Sequence, residues 1–356
     1  MFEAALAGNL ESMGRTIVIT GVETPLGRRV ARLAAVEEDA DVVGLARGPV
    51  TGLPASVAVY RVDLTGEDVK PHLQDADVVV HLATSVPVTP TAATDDVAVA
   101  RRVLEGAGGG SVPHLVVLSS ATVYGAWPDN PVPLTEDATL RPCPGFAFAG
   151  ERAEIERMAA EWRDAHPGTT VAVLRPARAA GSDHRDWLVR ALRPGPAVPD
   201  DVEEPPVQFV DLDDLAAACD LARLHQLDGA FNVAPEGSIP GDQVRSLVGV
   251  PVKVPLPRRV ASRLTRWRFR FGLSDTPPEL LPYVQHPWVI ASDRLRAQGW
   301  VATVSNEEAC VAAHEVGAWA TLSPRRRQEI ALGVAGAGLV AVVAGALVAA
   351  RRWWRS

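Results

Sequence analysis

Residues 16–27, Thr16-Ile17-Val18-Ile19-Thr20-Gly21-Val22-Glu23-Thr24-Pro25-Leu26-Gly27, decide how the rest of the chain is read. The first five are a β-branched run of the kind that forms a buried strand. The next seven read as a glycine-bearing turn into a helix. Such a turn lets backbone approach a pyrophosphate, and the helix N-terminus meets it with N–H donors and the positive end of the helix dipole. Gly21 is expected to make the tight turn and Gly27 to let helix and strand pack closely, with Leu26 beside it at the helix start. Thr24 takes the middle position, where its Cβ narrows the approach and its hydroxyl is expected to donate to a phosphate.

Working outward, short apolar runs recur at Thr16–Thr20, Val42–Leu45, Ala58–Val62, Val78–Leu82, His114–Ser119 and Thr170–Leu174. Runs continuous in this way suit strands covered on both faces, as in a parallel sheet. Helical stretches, among them Leu26–Val36 and Asp96–Ala107, lie between them. Repeated βα units imply right-handed crossovers and a Rossmann-type doubly wound α/β sheet over residues 15–235. Past about residue 178 the rhythm breaks into Pro-rich loops, so part of a second lobe is inserted there. Residues 207–222 read as a strand and then a helix capped by Asp211 or Asp213, and 236–322 as a smaller α-rich C-terminal lobe. Residues 1–14 are read as an N-terminal extension without signal-peptide character.

The arginine-dense stretch Arg258–Arg270, interleaved with Trp267 and Phe269, has two readings. One is a solvated helix or ribbon face; the other is a surface that leans on anionic lipid.

A net charge of −8 argues against broad nucleic-acid binding. Three scattered cysteines, Cys143, Cys219 and Cys310, have neither disulfide-framework nor metal-site spacing and suit a reducing compartment. No metal site is expected. Of the 35 basic residues only Lys70 and Lys253 are lysines, so arginine stands in places where lysine is commoner.

Residues 323–356 have a separate character. The 21 residues from Ile330 to Ala350 contain only Ala, Gly, Val, Leu and Ile. As a helix at ~1.5 Å per residue they span ~31 Å, the thickness of a hydrocarbon core. Arg325–Arg327 precede them, and Arg351, Arg352, Trp353, Trp354 and Arg355 follow, as interfacial anchors do. A single-pass C-terminal transmembrane helix is expected, with the main domain in the cytoplasm. Small residues at every fourth position, Gly333 through Ala349, permit a homodimer through the span.

At the end of the second strand a carboxylate would accept from the ribose 2′-OH of NAD. Arg47 stands there instead and favours the 2′-phosphate of NADP, although a plain surface arginine reads the same way.

Several strings together resemble the extended short-chain dehydrogenase/reductases, with the NAD-dependent epimerase/dehydratase family closest. They are the glycine turn, Asp63-Leu64 after strand three, His81-Leu82-Ala83 after strand four, and Ser119-Ser120-Ala121-Thr122-Val123-Tyr124-Gly125 after strand five. Leu174-Arg175-Pro176 and residues 207–216 extend the resemblance, which covers roughly residues 15 to 305. It implies an NAD or NADP cofactor, Asp63 at the adenine, Leu64, Leu82 and Ala83 along the cofactor, and Ser120, assisted by Thr122, at the substrate oxygen.

The family's acid/base pair, a tyrosine and a lysine spaced YxxxK on a helix, is replaced. The best register places Phe148 at the tyrosine and Arg152 at the lysine; a shift of two gives Phe146 and Gly150. No tyrosine or lysine occurs between residues 125 and 252. Phenylalanine keeps the ring and loses the proton-carrying hydroxyl. The asparagine that often opens the family's fourth helix is Asp96. Three functions therefore stand open. The chain is an enzyme on a nucleotide sugar or carbonyl with another proton donor, Ser120, Thr122, His81 or Asp96. Alternatively it is a non-catalytic dinucleotide-binding sensor or scaffold, or a structural membrane protein with a decayed site.

Overall fold

The computed structural model describes residues 14–87, 92–181, 187–192, 197–199, 203–248, 254–271 and 276–314. Seven parallel strands form the main sheet. In chain order the strands are β1 (Arg15–Thr20), β2 (Ala40–Ala46), β3 (Val57–Arg61), β4 (Val78–His81), β5 (His114–Leu118), β6 (Thr170–Pro176), β7 (Arg178–Ala180), β8 (Ala197–Pro199), β9 (Phe209–Asp211), β10 (Gly229–Val233) and β11 (Val254–Leu256). The sheet runs β10-β6-β5-β4-β1-β2-β3, while β7 pairs with β9 and β8 with β11 in two small ribbons. All six strands read from the sequence are present, with their ends moved by one or two residues.

Chain order reverses between β1 and β4, so the connections leaving these strands diverge and open a crevice at their C-terminal ends. That is where ligands bind in open α/β sheets. Alternation along β1 shows the double winding. Ile17 and Ile19 face one apolar layer with Val30 of α1 (Pro25–Ala34) and Leu215 of α6 (Leu212–Leu224). Val18 faces the opposite layer, with Val103 of α3 (Asp96–Gly110) and Met158 of α4 (Ala147–Ala165). The short helices α2 (Lys70–Leu73) and α5 (Trp187–Ala191) complete the first part of the chain.

Asp211, not Asp213, caps α6, its side chain accepting from the Asp213 amide at 2.7 Å. Past β10 come α7 (Gly241–Leu247), α8 (Arg258–Arg270), α9 (Leu281–Gln285), α10 (Asp293–Arg296) and α11 (Asn306–Ala313). A third, smaller core of Phe209, Ile239, Val244 and Cys310 joins this part to the β7–β9 ribbon. All three cysteines are free and buried.

Among the described residues no helix is long and apolar enough to cross a membrane. The 330–350 segment, its small-residue stripe and the N-terminal extension to residue 13 lie outside the described residues.

Candidate functional site

The turn after β1 is held by its own backbone. Gly21 has φ +77°, and a Cβ there would meet the Ala83 backbone at 2.8 Å. A Cβ on Gly27 would lie 2.1 Å from the Gly21 carbonyl oxygen, so helix α1 can start here only behind a glycine. Thr24 is the N-cap of α1. Its hydroxyl donates to the Gly21 carbonyl at 2.8 Å and accepts from the Gly27 amide at 3.0 Å. This corrects the expectation that Thr24 donates to a phosphate, because its one proton is already engaged within the turn.

The turn opens onto a cavity of about 210 Å³. Thr24, Leu26, Leu82, Ser120, Phe148 and Arg152 all line it, although they come from the ends of three strands, β1, β4 and β5, and from helices α1 and α4. Gly21, Gly27 and Ala83 shape the turn behind it. Phe148 and Arg152 lie one turn apart on α4 and face the cavity together. Phe146 instead is buried in an aromatic cluster with Tyr283, ring centroids 5.2 Å apart, and Gly150 is exposed. The cavity thus selects the Phe148/Arg152 register.

Arg152 is not a free cation. It forms an ion pair with Asp96 at the start of α3, with side chains 1% and 2% exposed, and donates to the Leu118 carbonyl at 3.4 Å. Its guanidinium also covers the Phe148 ring at 4.9 Å from the centroid. Its Nε, buried, has no hydrogen-bond partner. Burial pulls the guanidinium below its ordinary pKa, and the Asp96 and Glu151 carboxylates oppose that pull. Asp96 in turn accepts from the Ser85 amide at 2.9 and 3.2 Å. Both Asp96 oxygens are thus taken up by Arg152 and the Ser85 amide, away from the substrate side of the cavity.

His81 is removed from the alternative acids. Burial, then the neighbouring Arg152 charge, pushes its pKa down to about 3. Thr20 Oγ1 accepts from the Leu82 and Ala83 amides at 3.2 Å each, so its own proton goes to His81 Nδ1 at 2.8 Å. The imidazole proton then sits on Nε2, which has no partner. His81 braces the ends of β1 and β4 against each other.

Ser120 Oγ lines the cavity and accepts from the Thr122 hydroxyl at 3.0 Å and the Thr122 amide at 3.3 Å. Thr122 itself is fully buried and reaches the cavity only through Ser120. The rest of the string is anchored by a network that sequence reasoning missed. Ser119 donates to Glu156, which pairs with Arg175 at 2.6 Å. Arg175 donates to the Tyr124 hydroxyl at 2.8 Å, and that hydroxyl donates to Asn232 at 2.7 Å. Burial pushes Tyr124 up to about 12, so this buried tyrosine keeps its proton. The available signal was Glu156 one turn beyond Arg152 on the same helix.

At the far end of the crevice Arg47 is exposed, with a guanidinium nitrogen 3.4 Å from Ser85 Oγ. Asp63 accepts from the Thr65 hydroxyl at 2.7 Å and amide at 3.0 Å, and these bonds hold its carboxyl below the usual range. Leu64 is buried in the core, not at the crevice. Glu23 was also missed: its carboxylate accepts from the Arg47 amide at 3.4 Å, bringing an acid to the end of β2 from the glycine turn. Arg47, Asp63 and Leu64 do not line the 210 Å³ cavity.

This fold and site define a dinucleotide-binding α/β protein of the short-chain dehydrogenase/reductase type. The chain belongs to the NAD dependent epimerase/dehydratase family, whose model matches residues 17–234. Proteins described as uncharacterized from Mycobacterium bovis and Mycobacterium tuberculosis are 30% identical over 147 residues, or 41% of this chain. That match spans only 39% of the length of those relatives.

Among solved structures, a UDP-galactose 4-epimerase is similar at a TM-score of 0.61 and 21% identity, covering 85% of this chain and 98% of that one. A tyrosine-to-phenylalanine variant of a UDP-glucuronic acid 4-epimerase from Bacillus cereus, in complex with UDP-4-deoxy-4-fluoro-glucuronic acid and NAD, gives 0.61 at 16%, with the same coverage. The terminal R domain of the myxalamid biosynthetic pathway gives 0.66 at 15%, covering 85% and 90%. At these identities the likeness is one of fold.

Proposed function

We propose that this protein is a membrane-tethered, nicotinamide-dinucleotide-binding sensor or scaffold, which binds its ligands without the family's tyrosine–lysine proton transfer. The carrying observation is the closed Asp96–Arg152 ion pair beside Phe148. The tyrosine position has no hydroxyl, and the cation that would lower its pKa is neutralised by a carboxylate. Binding is supported by the turn geometry, since Gly21 and the start of α1 face the crevice at the reversal between β1 and β4. The family name and the NAD in two similar solved complexes support the same cofactor class.

A bound nicotinamide dinucleotide supplies a hydride donor or acceptor. The chain's own residues would hold it: the α1 N-terminus at the pyrophosphate, Asp63 toward the adenine, and Arg47 at the ribose, where it favours a 2′-phosphate. Ser120 would hydrogen-bond an oxygen at the nicotinamide end. Beyond it the cavity wall is Phe148, Ala177, Ala179, Trp187 and Leu188, which suits a carbonyl compound with an apolar body better than a sugar. The tether is the 330–350 segment, which holds the domain at the cytoplasmic face.

Titration of the detergent-solubilised full chain with NADH and NADPH, followed by fluorescence, tests binding. Saturable binding is expected; none at all would sink both the sensor and the enzyme. A panel of nucleotide sugars and carbonyls then separates these two. The sensor reading expects turnover only after Phe148→Tyr, Arg152→Lys and Asp96→Asn are combined, and turnover by the unaltered chain makes it an enzyme. Recovery of the full chain in the soluble fraction after a carbonate wash of membranes would refute the tether.

A further inference from the structure

Helix α8 carries an apolar stripe that the described residues leave about half exposed. Val260, Leu264, Trp267 and Phe271 recur at i, i+4, i+7 and i+11, which places them within about 60° of arc on one helix face. Val260 is 48% exposed, Trp267 52% and Phe271 60%, with Leu264 half-buried. The Trp267 and Phe271 rings lie against each other, centroids 5.0 Å apart. The helix packs instead on the β8 strand and the turn at Pro278–Leu280.

Charge surrounds this stripe. Six arginines and no acidic residue lie between Arg258 and Phe271, in a chain whose net charge is −8. By helical geometry Arg263 and Arg270 flank the stripe on one side and Arg268 on the other. An apolar face containing tryptophan, rimmed by arginine, is the pattern of a helix lying in a bilayer interface. The apolar groups enter the acyl boundary while the guanidinium groups meet phosphate.

We infer that α8 docks on an anionic lipid surface, its Val260–Phe271 stripe inserted and its flanking arginines, Arg263 and Arg270 foremost, on lipid phosphates. A second copy of the chain is a poorer occupant, since it would set one arginine-rich face against another. Proximity rests on the tether proposed above. Only 15 residues separate His314 from Ile330. Even fully extended they reach ~50 Å, so a 330–350 span keeps the domain beside the membrane at high effective concentration.

The test uses the full chain in nanodiscs of phosphatidylcholine alone and with about a third phosphatidylglycerol. Hydrogen exchange of the peptide covering 258–271 is expected to slow at least about fivefold in the anionic discs and to recover at ~0.5 M salt. Trp267→Ala with Phe271→Ala should remove the protection, as should Arg263→Glu with Arg268→Glu and Arg270→Glu. Arginine-to-lysine changes at the last three positions should preserve it. Equal exchange in both discs overturns the inference, as does protection that the charge reversal leaves intact. A chain that does not enter discs overturns the tether instead. In that case co-sedimentation with phosphatidylglycerol vesicles but not phosphatidylcholine ones still supports α8 docking, and sedimentation with neither ends it.

Discussion

The two ends of the crevice have been treated differently by this sequence. At the α1 end the outer glycines of the turn, Gly21 and Gly27, stand where a Cβ would clash, with Thr24 between them. At the α4 end Ser120 is present, but three positions depart from the pattern the family resemblance implies: phenylalanine for tyrosine, arginine for lysine, aspartate for asparagine. The changes there are coupled. A longer cation at residue 152 meets a new anion at residue 96, and the freed ring face lies against the guanidinium. Random loss of function would leave a buried charge unmatched, at a cost of several kcal/mol. The corner holds a closed ion pair, while the turn's outer glycines leave its backbone open to a ligand.

Breaking each end separately sharpens that contrast. Asp96→Ala strands the Arg152 charge and is expected to destabilise the protein by about 3–5 kcal/mol in chemical unfolding. Asp96→Ala combined with Arg152→Met should recover most of that loss, because neither charge then needs a partner. If the double variant is as unstable as the single one, the pair is not the source of the effect.

At the other end, Gly27→Ala forces a Cβ onto a carbonyl oxygen 2.1 Å away. It should cost at least about 3 kcal/mol and abolish NADH and NADPH binding. Retained binding would mean that the turn can open without losing its shape.

Acid should weaken the fold as a whole. Burial holds His81 at about 3 and His114 at about 4, so both rings are neutral in the fold and take up protons on unfolding. The unfolded state then binds more protons from pH ~6.5 downward, and stability falls by up to ~1.4 kcal/mol per pH unit for each histidine. The loss runs from about 6.5 to 4 for His114 and on to about 3 for His81. Unfolding free energies for His114→Gln across that range should show a slope shallower by about one proton.

The selectivity of the α1 end carries a smaller effect. Arg47→Ala should weaken NADPH about tenfold and leave NADH nearly unchanged. A loss shared equally by both dinucleotides would show that Arg47 acts on the fold. Phe148→Tyr is the mildest change. The cavity beside the ring has space for a hydroxyl, so a stability change under ~1 kcal/mol is expected, with no turnover while Arg152 stays paired.

Much of this was legible along the chain because it is local. Six of the seven main-sheet strands were read as short apolar runs, the edge strand β10 being missed, and the turn glycines sit within seven residues of one another. The replacement of the acid/base pair could also be read, since YxxxK is a spacing on one helix. What escaped depends on contacts between distant elements. Thr24 was expected to serve a ligand, but a hydroxyl three residues from Gly21 finds the turn's own carbonyl first. Asp96 and Arg152 lie 56 residues apart on α3 and α4. Each was noticed as a separate departure, and only the packing of those helices shows that one cancels the other. The Ser119–Glu156–Arg175–Tyr124–Asn232 network spans three strands in the same way.

The amino-acid sequence alone determined the alternating architecture, the dinucleotide turn and the absent hydroxyl, because each is written in the period or spacing of near neighbours. Tertiary structure alone decided that the remaining cation is neutralised and that, among the described residues, the stripe on α8 is left about half exposed. Whether a charge is paired, or an apolar face covered, depends on what the rest of the chain brings beside it.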